Sequence, residues 1–225
     1  MIVVAIAVAT PPALVVTGFR ALANEWFVAF EYDRPGFPPD RYGLTRDERE
    51  ELALVGLESI RPGTEGIALL EAATLPDGSP AFDERERGHM ADVRSLFGAA
   101  LRFQLIVLLA VVAAAVALAR SPRRTLVPRG VLAGSLTTIG VAALAVPVIL
   151  LGFDGFFTRF HEVFFDGDSW RFSTTDTLIR LYPERFWEDT AMLVALVTVA
   201  QAVALAPLAW WWQRRAARAG AREQA

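Results

Sequence analysis

Four apolar runs, at 2–19, 97–119, 131–153 and 190–212, constrain this chain more than any other feature. A helix needs about 20 apolar residues to cross a hydrocarbon layer roughly 30 Å thick, because it rises about 1.5 Å per residue. Each run approaches or exceeds that length. None contains an acid, and Arg102 is the only full charge inside one, close to its end. A soluble domain can be apolar, as this chain is at 54% hydrophobic residues, but its core does not divide into separate runs of spanning length. The expected fold class is mainly α and membrane-embedded: four transmembrane helices with a small extracytoplasmic cap formed by the 1–2 and 3–4 connections.

Basic residues accumulate in short cytoplasmic loops, so the arginines orient the chain. The loop "RSPRRTLVPRG" carries Arg120, Arg123, Arg124 and Arg129 with no acid, and the tail carries Arg214, Arg215, Arg218 and Arg222 against Glu223. All remaining Asp and Glu residues fall before 97 or within 154–189. The expected order is a first transmembrane helix over 1–23, an extracytoplasmic cap segment over 24–96 and a second transmembrane helix over 97–119. A cytoplasmic loop (120–130), a third helix (131–153) and an extracytoplasmic segment (154–189) follow. A fourth helix (190–212) and a cytoplasmic tail (213–225) complete it. Both termini would be cytoplasmic, in a bacterial cell membrane crossed several times. Trp210, Trp211 and Trp212 would mark the inner headgroup belt, and Trp26, Trp170 and Trp187 the outer one. The first run lacks a basic flank and ends in "ALA" at 21–23, so a cleaved signal peptide is the alternative reading of 1–23.

The chain has no cysteine, which removes disulfides, thiolate nucleophiles and thiolate metal sites together. Every basic residue is Arg, so there is no Schiff-base lysine or lysine general base. Inside 24–96, "FPPDRYG" is a turn-rich lead-in, and "WFVAFEY" at 26–32 reads as a short strand. "TRDE" at 45–48 reads as a capping box before the helix "RDEREELALVGLESI", with Ala53, Leu54, Leu57 and Ile60 on its packing face. "LPDGSP" marks another turn, and "FDERERGHMADVRSLFGAALRFQ" reads as a helix running into the second span. Gly134, Ser135 and Gly140 would let helices approach closely, while Pro147, Pro207 and Pro11-Pro12 would kink theirs.

Two histidines are the chemical minority of this chain. His89 lies about two turns before the second span and His161 about two turns after the third, at ~3.6 residues per turn. If those helices are neighbours, the imidazoles meet at one depth near the headgroups. On a helix, Arg85, His89 and Asp92 share a face, so Asp92 could set the His89 tautomer; a solvated charged face has the same spacing. His161 sits among Phe157, Phe160, Phe164 and Phe165, and such desolvation favours the neutral imidazole that can accept a proton near neutral pH. An interfacial aromatic anchor with an incidental histidine is the plainer reading. His89 and His161 with carboxylates such as Asp92, Glu162, Asp166 or Asp168 could hold zinc, but no H-E-x-x-H supports it, and no metal or cofactor is expected. There is no Gly-rich phosphate loop, no G-x-S-x-G elbow and no basic aromatic stripe for nucleic acid.

Several blocks resemble the bacterial lipoprotein intramolecular transacylases, a family of integral membrane proteins. "RYGLTRDEREELALVGL" (41–57) is similar to the family's first outer helix, and "FDERERGHMADV" (82–93) to the block holding its first functional histidine, matched here by His89. "FHEVFFDGDSWRFSTTDTLIRLYPERFW" (160–187) resembles its longest block, with His161, Trp170, Asp176, Pro183 and Trp187 in place. "ERG" before His89 departs from the family's more apolar or small pair. The resemblance implies a substrate that is a diacylglyceryl-modified lipoprotein, whose second acyl chain moves to its own α-amino group. On that expectation His161 is the base, and His89, steered by Asp92, serves the oxyanion or leaving oxygen, with the two roles exchangeable. Arg85 or Arg102 would bind a carbonyl or headgroup, Trp170 would contact substrate, and Asp176 would orient His161. A monomer in contact with membrane lipid is expected. A membrane metallohydrolase and a non-enzymatic accessory protein are the alternatives.

Overall fold

The computed structural model describes residues 1–222, which are mainly helical. In chain order the helices are α1 (Ile2–Leu22), α2 (Glu25–Asp33), α3 (Arg46–Ile60), α4 (Ala68–Ala72), α5 (Glu84–Leu118), α6 (Leu126–Leu151), α7 (Phe153–Phe164), α8 (Thr177–Leu181) and α9 (Glu184–Arg222). Among the described residues there is no strand, only an isolated bridge between Thr74 and Pro80 where "LPDGSP" turns. Among the described residues four helices, α1, α5, α6 and α9, are long and apolar enough to cross a membrane.

The segment 26–32 is not a strand but the body of α2. Its buried residues are Phe27, Val28, Glu31 and Tyr32, the i, i+1, i+4, i+5 pattern of one helix face. Trp26 and Phe30, one turn apart, are exposed. With aromatic residues on both faces, hydrophobicity alone could not separate a period of two from one of 3.6.

The chain divides into two compact units. One comprises Met1–Phe19, Leu101–Val148 and the described residues from Met192 onward. Its helices meet through small residues and side-chain amides. An added Cβ on Gly134 would stand 2.5 Å from Thr10 Cβ, and one on Gly130 would stand 2.7 Å from Ile6 Cβ. Gly140, by contrast, faces open space and supports no close approach. Gln104 donates to the Ala13 carbonyl at 2.9 Å and to Thr17 Oγ1 at 2.7 Å, and Gln201 donates to the Leu14 carbonyl at 3.3 Å. Thr10, Ser135 and Thr138 return their hydroxyls to carbonyls one turn back, so these polar groups are satisfied without water. Pro11, Pro12, Pro147 and Pro207 all lie inside helices that continue past them.

The other unit comprises Arg20–Ala100 and Ile149–Ala191. Its α3 opens with the full capping box, Thr45 Oγ1 accepting from the Glu48 amide while Glu48 accepts from the Thr45 amide. This helix packs on α2, α4 and α8, burying Leu52, Ala53 and Leu57 with Gly56. Leu54 and Ile60 are half-buried. Arg49 is buried here, donating to the carbonyls of Arg180 and Pro38 and lying against the rings of Tyr32 and Phe37. The Tyr32 and Tyr182 hydroxyls reach the carbonyls of Leu181 and Ala53. Arg180 and Asp40 form a bidentate ion pair at 3.0 Å, with side chains only 9% and 1% exposed. Long-range polar bonds thus hold α8 and the 38–40 loop to α3.

Candidate active site

Helix α5 starts where Asp83 and Glu86 cap each other: Asp83 Oδ1 accepts from the Glu86 amide at 2.7 Å, and Glu86 Oε2 accepts from the Asp83 amide at 2.8 Å. Glu86 is buried, and its second oxygen accepts from the Leu178 amide at 2.7 Å. This bond ties the first turn of α5 to the first turn of α8, and His89 follows one turn later. The D-x-x-E spacing at 83–86 is the sequence signal for this anchor, and helical periodicity alone does not reveal it.

On the other side, α7 carries His161 in its last turn and ends at Phe165, whose amide donates to the His161 carbonyl at 2.8 Å. Gly167 then turns the chain at φ +64°, the left-handed region that a side chain would disfavour. The turn lets the Trp170 indole N–H donate to the Gly167 carbonyl at 3.1 Å and lays its ring 4.8 Å from His161.

His89 and His161 stack on each other, ring centroids 5.9 Å apart and planes 29° apart. Phe165 closes on both, at 4.9 Å from His89 and 5.4 Å from His161. Phe172 covers His89 at 5.4 Å, and Phe157 lies 4.1 Å from His161. Each histidine is 8% exposed. Phe157 is among the apolar neighbours that spacing gives His161, whereas no local spacing brings Phe172 to His89, a proximity that is purely tertiary.

Electrostatics follow from this apolar wall. Burial, reinforced by the adjacent His161, pushes the His89 imidazole down from 6.5 to about 4. Burial also lowers His161, partly opposed by a 2.8 Å hydrogen bond between its Nδ1 and the Phe157 carbonyl. Because a carbonyl only accepts, Nδ1 carries the proton, leaving Nε2 as the basic nitrogen. His89 Nδ1 is buried with no hydrogen-bond partner. Both rings are therefore neutral near pH 7, and they can stack without repulsion.

The remaining expected site residues are placed differently. Asp92 is exposed and does not hold the unpartnered His89 Nδ1; i,i+3 spacing puts it on the outer side of α5 while the ring turns inward to Phe165. Asp176 does not orient His161. Its carboxylate pairs with Arg85 at 2.7 Å and accepts from the Ser173 amide at 2.7 Å, and the Phe157 carbonyl occupies His161 Nδ1 instead. Arg85 also lies over the Phe172 ring, 5.1 Å from its centroid. Arg102 is exposed and belongs to the other unit. Among the described residues, no group of three or more His, Asp and Glu side chains gathers at metal-binding distance.

Comparison with known proteins bears on the family and the fold. The family model described as lipoprotein intramolecular transacylase Lit matches residues 6–187. An uncharacterised protein of Aquifex aeolicus (strain VF5) is 34% identical over 180 residues, 80% of this chain and 79% of that protein. The membrane-integral lipoprotein intramolecular transacylase Lit of Bacillus cereus, solved in meso, superposes with a TM-score of 0.75 at 19% identity, covering 95% of each chain. A variant of that protein with one histidine replaced by alanine gives a TM-score of 0.72 at 22% identity, over 95% of this chain and 93% of that one. The family model spans most of the sequence, and the chain belongs to the lipoprotein intramolecular transacylase family of integral membrane enzymes.

Proposed function

We propose that this enzyme moves the acyl chain on the second glycerol carbon of a diacylglyceryl-cysteine lipoprotein to that cysteine's own α-amino group, giving an N-acyl lyso-form lipoprotein. The observation that carries the reading is the stacked, desolvated pair His89 and His161. An amine with a pKa near 8 is partly free base near neutral pH, and a neutral imidazole with a free Nε2 can take the one proton its nitrogen sheds on attacking an ester. His161 is that base. The amine nitrogen bonds to the ester carbonyl carbon, and its proton passes to His161 Nε2. The N–H of His89 stabilises the developing oxyanion; a donor in a water-poor pocket contributes more than the same donor in water. Collapse of the tetrahedral adduct breaks the bond to the glycerol oxygen, which takes the proton back from the imidazolium. The two rings are 5.9 Å apart, close enough to serve one bound ester from its two sides.

Direct attack passes through an eight-membered ring, which is entropically poor to close, so holding amine and ester together should account for much of the rate. Trp170 and Phe165 supply apolar surface beside the rings for acyl methylenes. Arg85, half-exposed beside the pair, is placed for a substrate carbonyl or headgroup. On the arginine distribution, this unit faces the extracytoplasmic side of the cell membrane, where mature lipoproteins reside, with both termini cytoplasmic and the enzyme working as a monomer.

The test uses His89→Ala and His161→Ala in a host that makes only diacyl lipoproteins, with peptide mass spectrometry of the lipoprotein N-terminus. Wild type should yield N-acylated, lyso-form peptide and both variants the unmodified diacyl form. Normal product from both variants would end the proposal.

A further inference from the structure

Helix α7 is divided lengthwise by polarity. Over ~100° of rotation per residue, Phe153, Phe156, Phe157, Phe160, Val163 and Phe164 fall on one half of the helix with His161 at its edge, while Asp154, Thr158, Arg159 and Glu162 fall on the other. The apolar half is itself divided. The edge bearing Phe157 and His161 is covered by Trp187 and Trp170. The rest of that half is not: Val163 is 73% exposed and Phe164 50%, with Phe156 and Phe160 only partly covered. On the polar half, Arg159 and Glu162 pair with each other at 2.8 Å, both at the surface.

Something must cover that open apolar edge, and the chain indicates what. Helix α6, one of the four membrane-length helices, ends at Leu151 with Leu150 and Leu151 exposed, and α7 begins at Phe153 after Gly152 alone. A single residue between two helices keeps the start of α7 at the apolar boundary where α6 stops. Charges on one side and bare aromatic and aliphatic side chains on the other suit the plane where water meets hydrocarbon.

The geometry points to α7 as an interfacial helix whose Phe156, Phe160, Val163 and Phe164 edge is immersed in the acyl-chain region of a membrane leaflet, fixing the depth of His161 at the level of lipid esters. This deepens the proposed function, resting on it only for why that depth matters: a lipoprotein's ester bonds lie in this zone, so the substrate can reach His161 by lateral movement without leaving the bilayer.

The absence of cysteine from the natural chain makes the test clean. Single variants Phe156→Cys, Phe160→Cys, Val163→Cys, Phe164→Cys, Arg159→Cys and Glu162→Cys would carry a nitroxide label in the full-length protein, reconstituted into phosphatidylcholine–phosphatidylglycerol vesicles. Collision with oxygen, which partitions into lipid, is compared with collision with a water-soluble nickel chelate. Labels at 156, 160, 163 and 164 should favour oxygen several-fold over those at 159 and 162. A label at 163 as open to the nickel chelate as one at 162 would overturn the inference. So would a label closed to both reagents, the sign of a protein partner or second copy on that edge. A paired variant, Val163→Asp with Phe164→Asp, should lose acyl transfer in vesicles at least several-fold while its unfolding midpoint in detergent stays put. Unchanged transfer in that variant would also count against it. The two readings fail separately: intact acylation in the histidine variants removes the catalytic assignment but not the depth profile, and a water-facing edge does the reverse.

Discussion

The carboxylate of Glu86 accepts a hydrogen bond from the backbone amide of Leu178 at 2.7 Å, joining positions 92 residues apart in the sequence. One turn beyond Glu86 stands His89, and the chain that reaches Leu178 has just passed His161, Trp170 and Phe172. Both Glu86 oxygens accept from backbone amides, so this one buried side chain fixes where the α5 turn meets the loop that lines the histidines.

Removing it should therefore affect stability and chemistry together. Glu86→Ala leaves the buried Leu178 amide unpaired, at a cost of about 1–3 kcal/mol. Glu86→Gln restores one acceptor but presents an amide NH2 to the other donor, and should recover only part of that loss. Thermal unfolding in detergent, read beside N-acylation by mass spectrometry, checks both. An alanine variant with wild-type stability and product would show that the anchor is dispensable.

The histidines predict a direction with pH. His89 is lowered to about 4 against 6.5 when unfolded, mainly by burial, and His161 is lowered as well. Between 6.5 and about 4 the unfolded chain binds a proton that the folded His89 does not, so stability rises with pH through that window and falls as acid is added. Above 6.5 the contribution is constant. Nitrogen-15 NMR of histidine-labelled protein should show His89 titrating near 4 and His161 below 6.5. Opening the wall with Phe165→Ala should move both midpoints up toward the ordinary value.

The Arg180–Asp40 pair offers a test away from the chemistry. Burial opposes ionisation of Asp40, but hydrogen bonds from Arg180 and from the Leu44 and Tyr42 amides outweigh it and hold the carboxyl at about 2. Breaking a buried pair from one side strands the other charge, at about 3–5 kcal/mol. Asp40→Asn and Arg180→Ala should each lower the unfolding midpoint clearly, and the double variant should cost less than their sum.

Gly56 answers to one neighbour. A Cβ there would stand 2.5 Å from the Tyr182 hydroxyl, which is bonded to the Ala53 carbonyl. Gly56→Ala should destabilise by about 1–3 kcal/mol through overpacking, and Gly56→Ala with Tyr182→Phe should recover part of it. Denaturant midpoints of the two variants decide the matter.

Some features were legible because they are local. Four long runs without acids specify apolar helices whatever surrounds them, and Thr45 with Glu48 announces the start of α3 within four residues. The segment 26–32 misled because Trp26 and Phe30 are apolar yet exposed, so composition hid the period. Asp92 and Asp176 were assigned to the imidazoles on spacing and likeness. Spacing carries no information on whether a ring turns toward a carboxylate or toward Phe165.

Hydropathy and helical period act over a few residues and survive in any context, so the spanning-length helices and the rarity of titratable rings could be read directly from the amino acids. That His89 and His161 stack at all, with neutral rings and Asp176 taken by Arg85, depends on contacts closed over 70 residues or more. Those contacts stand beside the Glu86–Leu178 bond and the Gly167 turn that brings Trp170 back over its neighbour. The burial that sets the protonation of both imidazoles is a property of that closure and of no shorter stretch of chain.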